Sequence, residues 1–240
     1  MTRLTLMVVA ACCAMLFLGC GGVSVSGGGG NGGNNNHNNG GDNPPEPPPP
    51  VTPSGLLQPA DLTYEGAFRL PDASGGSSWE WSGDALAYYP GGDPEGPRDG
   101  YPGSLFGVGH DWDKQVSEIT IPAPVVPAGK QLGAMNTAQT LQPFRDVRAG
   151  VGNLGVLQEL PCVGMEYLPP QGAQSTGKLY LCWGAHFQEE AENVASHMWC
   201  EVGLTGSRGA WWVGNYSPYS VNDYMFAIPD SWARSYTPGK

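Results

Sequence analysis

The chain has 240 residues and a formal net charge of −11, with 14% charged and 10% aromatic residues, 37 glycines and 23 prolines. So acidic a chain repels a phosphate backbone, and no Lys/Arg cluster neutralises it locally, so nucleic acid is excluded as a partner. Few charges, many aromatics and frequent Gly/Pro punctuation suit short strands joined by turns and argue against a helical bundle.

Residues 1–19 have the three parts of an export signal. Arg3 and the free amine form a short positive region, Leu4 to Leu18 is an almost unbroken apolar run, and the small Gly19 precedes Cys20. The run is shorter than the roughly 20 residues of a spanning helix, and glycine-rich sequence follows it at once. Phe17-Leu18-Gly19-Cys20 resembles the lipobox of bacterial lipoproteins. The first position, where that family usually has Leu, is Phe17, with Leu16 one place earlier. The resemblance implies cleavage before Cys20, acylation of Cys20, and attachment to the bacterial cell envelope through a lipid anchor. With Gly21 and not Asp after the cysteine, it implies the outer membrane over the inner. The alternative is an ordinary cleaved signal with an incidental cysteine.

Residues 20–55 form a low-complexity tether, Gly/Asn-rich first and Pro-rich at its end. It offers almost nothing to bury, so it cannot offset the entropy of ordering. A coil of that length spans on the order of 30 Å, and the proline run is stiffer.

Residues 56–240 form the folded region, and short phrases recur in it. Gly103-Ser-Leu-Phe-Gly-Val-Gly-His110 is echoed by Gly177-Lys-Leu-Tyr-Leu-Cys-Trp-Gly-Ala-His186. Each phrase follows an apolar stretch ending at a proline, Pro90 or Pro169, and precedes another strand-like run, from Val116 or from His197. Ala67-Phe-Arg-Leu-Pro-Asp72 returns as Met225-Phe-Ala-Ile-Pro-Asp230. In the run from Val116, Val116, Glu118 and Thr120 alternate with Ser117, Ile119 and Ile121, as on a strand. Gly109 and Gly184 are placed for tight turns after the second strand of each set. The best helix candidate is 187–196. The fold class expected is all-β, with β-propeller-like repeated antiparallel sheets, incomplete or truncated because propellers close with four or more blades. Leu105 and Leu179 should occupy equivalent strands of successive sheets, with Phe106 and Tyr180 at matching depths. A β-sandwich is the alternative. Gly66-Ala-Phe-Arg-Leu-Pro71, Ser104-Leu-Phe-Gly-Val-Gly-His-Asp-Trp-Asp113 and Asn222-Asp-Tyr-Met-Phe-Ala-Ile-Pro-Asp-Ser-Trp-Ala233 resemble a group of uncharacterised bacterial β-propeller proteins. That resemblance implies a fold and no particular activity.

Of the cysteines that outlast the signal, Cys182 and Cys200 lie on neighbouring strand-like runs and are the expected disulfide in an oxidising compartment. Cys162–Cys182 is the competing pair. His186, Glu189, His197 and Cys200 fit no standard zinc spacing, and His110-Asp111-Trp112-Asp113 lacks the regular acidic spacing of a calcium loop and reads as a turn. No metal and no cofactor is expected. There is no G-x-S-x-G elbow, H-E-x-x-H motif or phosphate loop, so no catalytic residue is assigned. Paired carboxylates such as Glu118 with Glu166 remain available. All 8 tryptophans lie in the folded region. Trp211 and Trp212 are adjacent, so in a strand they point to opposite faces and only one easily enters the core. With Trp112 they are the candidate ligand-binding residues, since an exposed indole stacks on a sugar ring. The function expected is a membrane-anchored lipoprotein whose non-enzymatic module binds a glycan or an envelope protein. The alternatives are a polysaccharide hydrolase or lyase using carboxylates in a cleft, and a structural surface protein.

Overall fold

The computed structural model describes residues 59–83, 85–94, 96–148, 150–151, 161–185, 194–216, 221 and 224–237. Those up to Thr63 and those from Tyr64 on belong to two units. Among its described residues the first has the 3-10 turn Pro59–Asp61. The second is mostly β and holds two four-stranded antiparallel sheets, each a simple meander. Among the described residues no helix is long and apolar enough to cross a membrane.

The first sheet runs β1 (Leu86–Tyr89), β2 (Gly100–Val108), β3 (Val116–Pro122) and β4 (Thr140–Arg145), with a short helix α1 (Gly96–Asp99) between β1 and β2. Directly opposed residues of antiparallel strands share a face. Ala87, Phe106, Glu118 and Gln142 therefore form one row across the sheet, and Tyr88, Leu105, Ile119 and Thr140 the opposite one. β3 is buried along its whole length. The alternation in its sequence does not separate core from solvent. Val116 enters one apolar cluster, whereas Ile119 and Ile121 enter a second with Phe68, Leu105 and Ala138. Phe68 belongs to the phrase at residues 67–72, which crosses the Leu105 face and is tied by backbone bonds of Ala67 to Val125 and of Arg69 to Asn136.

The second sheet runs β5 (Pro161–Leu168), β6 (Lys178–Ala185), β7 (His197–Glu201) and β8 (Thr205–Trp211). β2 and β6, which carry the two echoed phrases, are the second strands of their sheets, as the sequence repeat predicts. A shared contact fixes the equivalence. Gly103, at φ 84°, lies under Tyr88, and a Cβ there would come within 2.7 Å of the ring. Gly177 lies under Tyr167 in the same way, at 2.5 Å from the phenol oxygen. Tyr88 opposes Leu105 and Tyr167 opposes Leu179.

The sheets pack through unlike faces. The Ala87–Phe106 face of the first meets the Leu179–Leu181–Trp183 face of the second, and Met165, Met198, Cys200, Val147 and Val151 complete the core between them. β1 lies against β5, with the Tyr89 and Tyr167 rings 4.8 Å apart. Gln142 Nε2 donates to Val202 O (2.8 Å) and Ser207 Oγ donates to Val147 O (2.6 Å), both across the sheet junction.

Two local expectations are corrected. Phe106 is fully buried and Tyr180 only half-buried, because Phe106 faces the other sheet and Tyr180 faces away from it. Gly184 makes no turn: it lies within β6 opposite Cys162. His110 does follow the end of β2, whereas His186 and most of the 187–196 helix candidate lie outside the described residues.

Candidate functional site

The expected disulfide is absent, and the register explains why. On β6 and β7, Cys182 opposes His197 while Cys200 opposes Leu179. The two cysteines are thus three residues out of register, an odd number, which puts them on opposite faces of the hairpin. Both are buried thiols. Cys200 lies in the core between the sheets, and Cys182 lies on the far face of the second sheet. Burial, with Glu201 next in the chain, pushes the Cys200 thiol up to about 12. The side chain of Cys162 lies outside the described residues, as does Cys20.

The three candidate tryptophans are all exposed, but they do not form one platform. Trp112 sits at the tip of the β2–β3 turn, 75% exposed. That turn is built as its residue types suggest. His110 O accepts from the backbone N–H of Asp113 and Lys114, His110 Nδ1 accepts from Trp112 N (3.2 Å), and Asp113 accepts from Ser77 Oγ (2.8 Å). Asp111 pairs with the buried Lys114 at 3.5 Å. Trp211 ends the edge strand β8 opposite His197, and Trp212 lies just beyond the strand. Neither enters the core, and the strand stops between them.

Glu118 and Glu166 are not a pair. Glu118 lies buried at the sheet junction, where its carboxylate accepts from Ser104 Oγ (2.5 Å) and Gln142 Nε2 (2.5 Å). Glu166 is on the far face of the second sheet, in a row with Tyr180, Trp199 and Arg208. With Gln142 reaching on to the second sheet, Glu118 is a structural clamp.

That far face carries a cleft of about 630 Å³. Its floor is Glu166, Leu168 and Tyr180, the turn at residues 169–171 forms one wall, and the phrase at residues 225–230 forms the other. Desolvation raises the Glu166 carboxyl above the ordinary range, against the lowering effect of backbone hydrogen bonds from Tyr167 and Ala227. Tyr180 Oη donates to Gln174 Oε1 (2.7 Å), which leaves its oxygen as an acceptor. Asp230 opens α2 (Asp230–Tyr236), lines the cleft, and faces Arg234 at 3.6 Å. Beside the cleft, Lys178 is held by Glu201 and by Thr176 Oγ1 and lies 4.7 Å above the Trp199 ring, an arrangement that fixes the indole. The rest of the lining is apolar, with Phe226 and Ile228 partly bare to solvent. Such a site suits a ligand that stacks or packs and makes a few directed polar contacts.

The sequence repeat flagged the 225–230 phrase, but nothing in it marked that phrase as the wall of a cleft. Of the three candidate tryptophans, only Trp211 shares the cleft's face of the sheet, since it opposes His197 and His197 opposes Cys182; none lines the cleft. Among the described residues no group of three or more His, Cys, Asp or Glu side chains is placed to hold a metal ion. Comparison with protein-family models, with curated proteins and with solved structures yields no match.

Proposed function

We propose that the chain is a lipid-anchored envelope protein whose folded domain is a β-propeller-like unit that binds a ligand or partner on the open face of its second sheet. The propeller reading rests on how the sheets stack. Residues 67–72 cover the Leu105 face of the first sheet, Val147 and Val151 lie between the sheets, and residues 225–230 cover the far face of the second. Residues 67–72 precede the first sheet and lie on its Leu105 face, and Val147 and Val151 precede the second and pack with Leu179, the counterpart of Leu105, as in a radial repeat. The sheets meet by unlike faces, so the packing propagates in one direction. The binding reading rests on one observation, the cleft with Glu166 and Tyr180 on its floor and apolar walls. A glycan fits that chemistry, its hydroxyls meeting the carboxyl and the phenol and its ring faces meeting the apolar wall.

A glycan array probed with the purified protein tests it. Binding is expected, and Tyr180→Phe with Glu166→Gln should weaken any hit by about tenfold or more. An array with no hit, or hits untouched by both changes, counts against the cleft. A second reading is favoured by the meeting of a carboxyl with raised proton affinity, Glu166, and a second carboxylate, Asp230, in one cleft. Two carboxyl groups are the machinery of glycoside hydrolysis. Turnover of a bound glycan that Glu166→Gln abolishes while binding persists would establish the enzyme over the binder.

The anchor is tested separately. Cys20→Ser should move nearly all of the protein from the membrane to the soluble fraction, because the apolar run before it is too short to span and acyl chains supply the attachment. A Ser variant that stays wholly in the membrane fraction refutes anchoring through this residue.

A further inference from the structure

We infer that the ligand of the second sheet's open face is an acidic glycan, laid across the strands with a sugar carboxylate on Arg208 and neutral hydroxyls at Glu166. This rests on the binding reading above and names its ligand class. The cleft is one end of a longer row. Glu166, Tyr180, Trp199 and Arg208 oppose one another in turn on β5, β6, β7 and β8, so all four side chains rise from one face. Three interstrand spacings make the row roughly 14 Å long, more than one sugar ring covers. Its ends differ in charge. A carboxyl stands in the cleft, a guanidinium stands on the edge strand, and two half-buried aromatic side chains lie between them. Arg208 is exposed, and its Nη1 donates to Ser207 O (3.0 Å). Among the described residues no acceptor meets its Nε or Nη2. Those two nitrogens present parallel donors that match the two oxygens of a carboxylate. Glu201, whose charge reaches Arg208, gives its own oxygens to Lys178 Nζ and Thr176 Oγ1 instead. Lys178 is thereby spent, and it holds the Trp199 indole in place along the ligand's path. At the cleft end, desolvation lets Glu166 keep its proton to higher pH than an ordinary carboxyl, which lessens repulsion of an acidic ligand there. The chain as a whole carries −11, so an anion is drawn only where a cation with unused donors stands, and on this row that is Arg208.

The test is isothermal titration calorimetry of the full chain in detergent against short oligogalacturonate, oligoguluronate and oligoglucuronate, each beside its methyl ester. Esterification removes the charge and keeps the rings. At least one acid form should bind about tenfold or more tighter than its ester, the difference a charge-assisted pair makes. Added salt should weaken the acid form and leave the ester unchanged. Arg208→Gln should bring acid and ester within about threefold of each other. Arg208 is exposed, so circular dichroism of the variant should be unchanged, and the comparison of acid with ester on the wild type needs no variant at all. Acid and ester bound equally overturn the inference, and so does an acid preference that survives Arg208→Gln. Binding confined to array glycans without a carboxylate, and lost with Tyr180→Phe, ends the inference and leaves the binding reading standing. No binding of any acid, ester or array glycan ends both.

Discussion

Trp183→Ala should destabilise the folded unit by roughly 3–5 kcal/mol, the range for emptying a fully buried aromatic site. Trp183 is 0% exposed, opposes Val163 on β5, and lies in the core that joins the two sheets. Its loss would cost the junction as well as the second sheet, and a rigid sheet-on-sheet contact has little room to collapse into the gap. In a unit of this size the loss corresponds to a fall in Tm of about 6–20 °C. Trp183→Phe separates packing from polarity. The indole Nε1 is buried without a hydrogen-bond partner among the described residues. Phe removes that orphan donor, so it should cost about half as much or less, the smaller cavity being offset in part by the polar group no longer buried. Urea unfolding of the two variants measures both. A Trp183→Ala cost under about 1 kcal/mol would mean that the sheets do not depend on this contact.

The repeat was legible because it has a local physical cause. A tyrosine stacked over a glycine two residues before its cross-strand partner needs a residue without a side chain, so Tyr88 with Gly103 and Tyr167 with Gly177 mark the same hairpin position twice. With that pairing the register follows, and Leu105 and Leu179 fall into equivalent strands. The depth of the next residues was not legible. Phe106 and Tyr180 are both aromatic and equivalently placed in their strands, but burial depends on what lies across from them. Phe106 faces a sheet and Tyr180 faces an open cleft. A first sheet covered on both faces shows no inside–outside alternation along β3.

The site was less visible for a related reason. Glu166 and Tyr180 meet across the β5–β6 hairpin, and Phe226, far from both in sequence, joins them only because residues 225–230 cross the far face of the second sheet. Of the three candidate tryptophans, Trp112 is held out by a hydrogen-bonded turn, and Trp211 stands at a sheet edge. Exposure of the three was foreseeable, but their lack of a common surface was not.

Neighbouring strands do not suffice for a bridge, because register parity decides the face. Cys200 points into the junction core and Cys182 away from it. Non-reducing peptide mapping should therefore find no Cys182–Cys200 link. Cys200 should also be nearly inert in the native protein. Only the thiolate attacks an alkylating agent, and burial pushes this thiol up to about 12 from an ordinary 9.0. At pH 8 the two values differ about 1,000-fold in thiolate fraction, since each pKa unit is a factor of ten. Native Cys200 should thus react with iodoacetamide about 1,000 times more slowly than in urea, before any added hindrance from burial. The sign follows from the cause: taking the group out of water disfavours the charged form, so raising the pH towards 12 should restore reactivity, and cooling or salt should not. Native and unfolded rates within tenfold of each other would mean that Cys200 is reached by solvent, and that the sheets do not close over it.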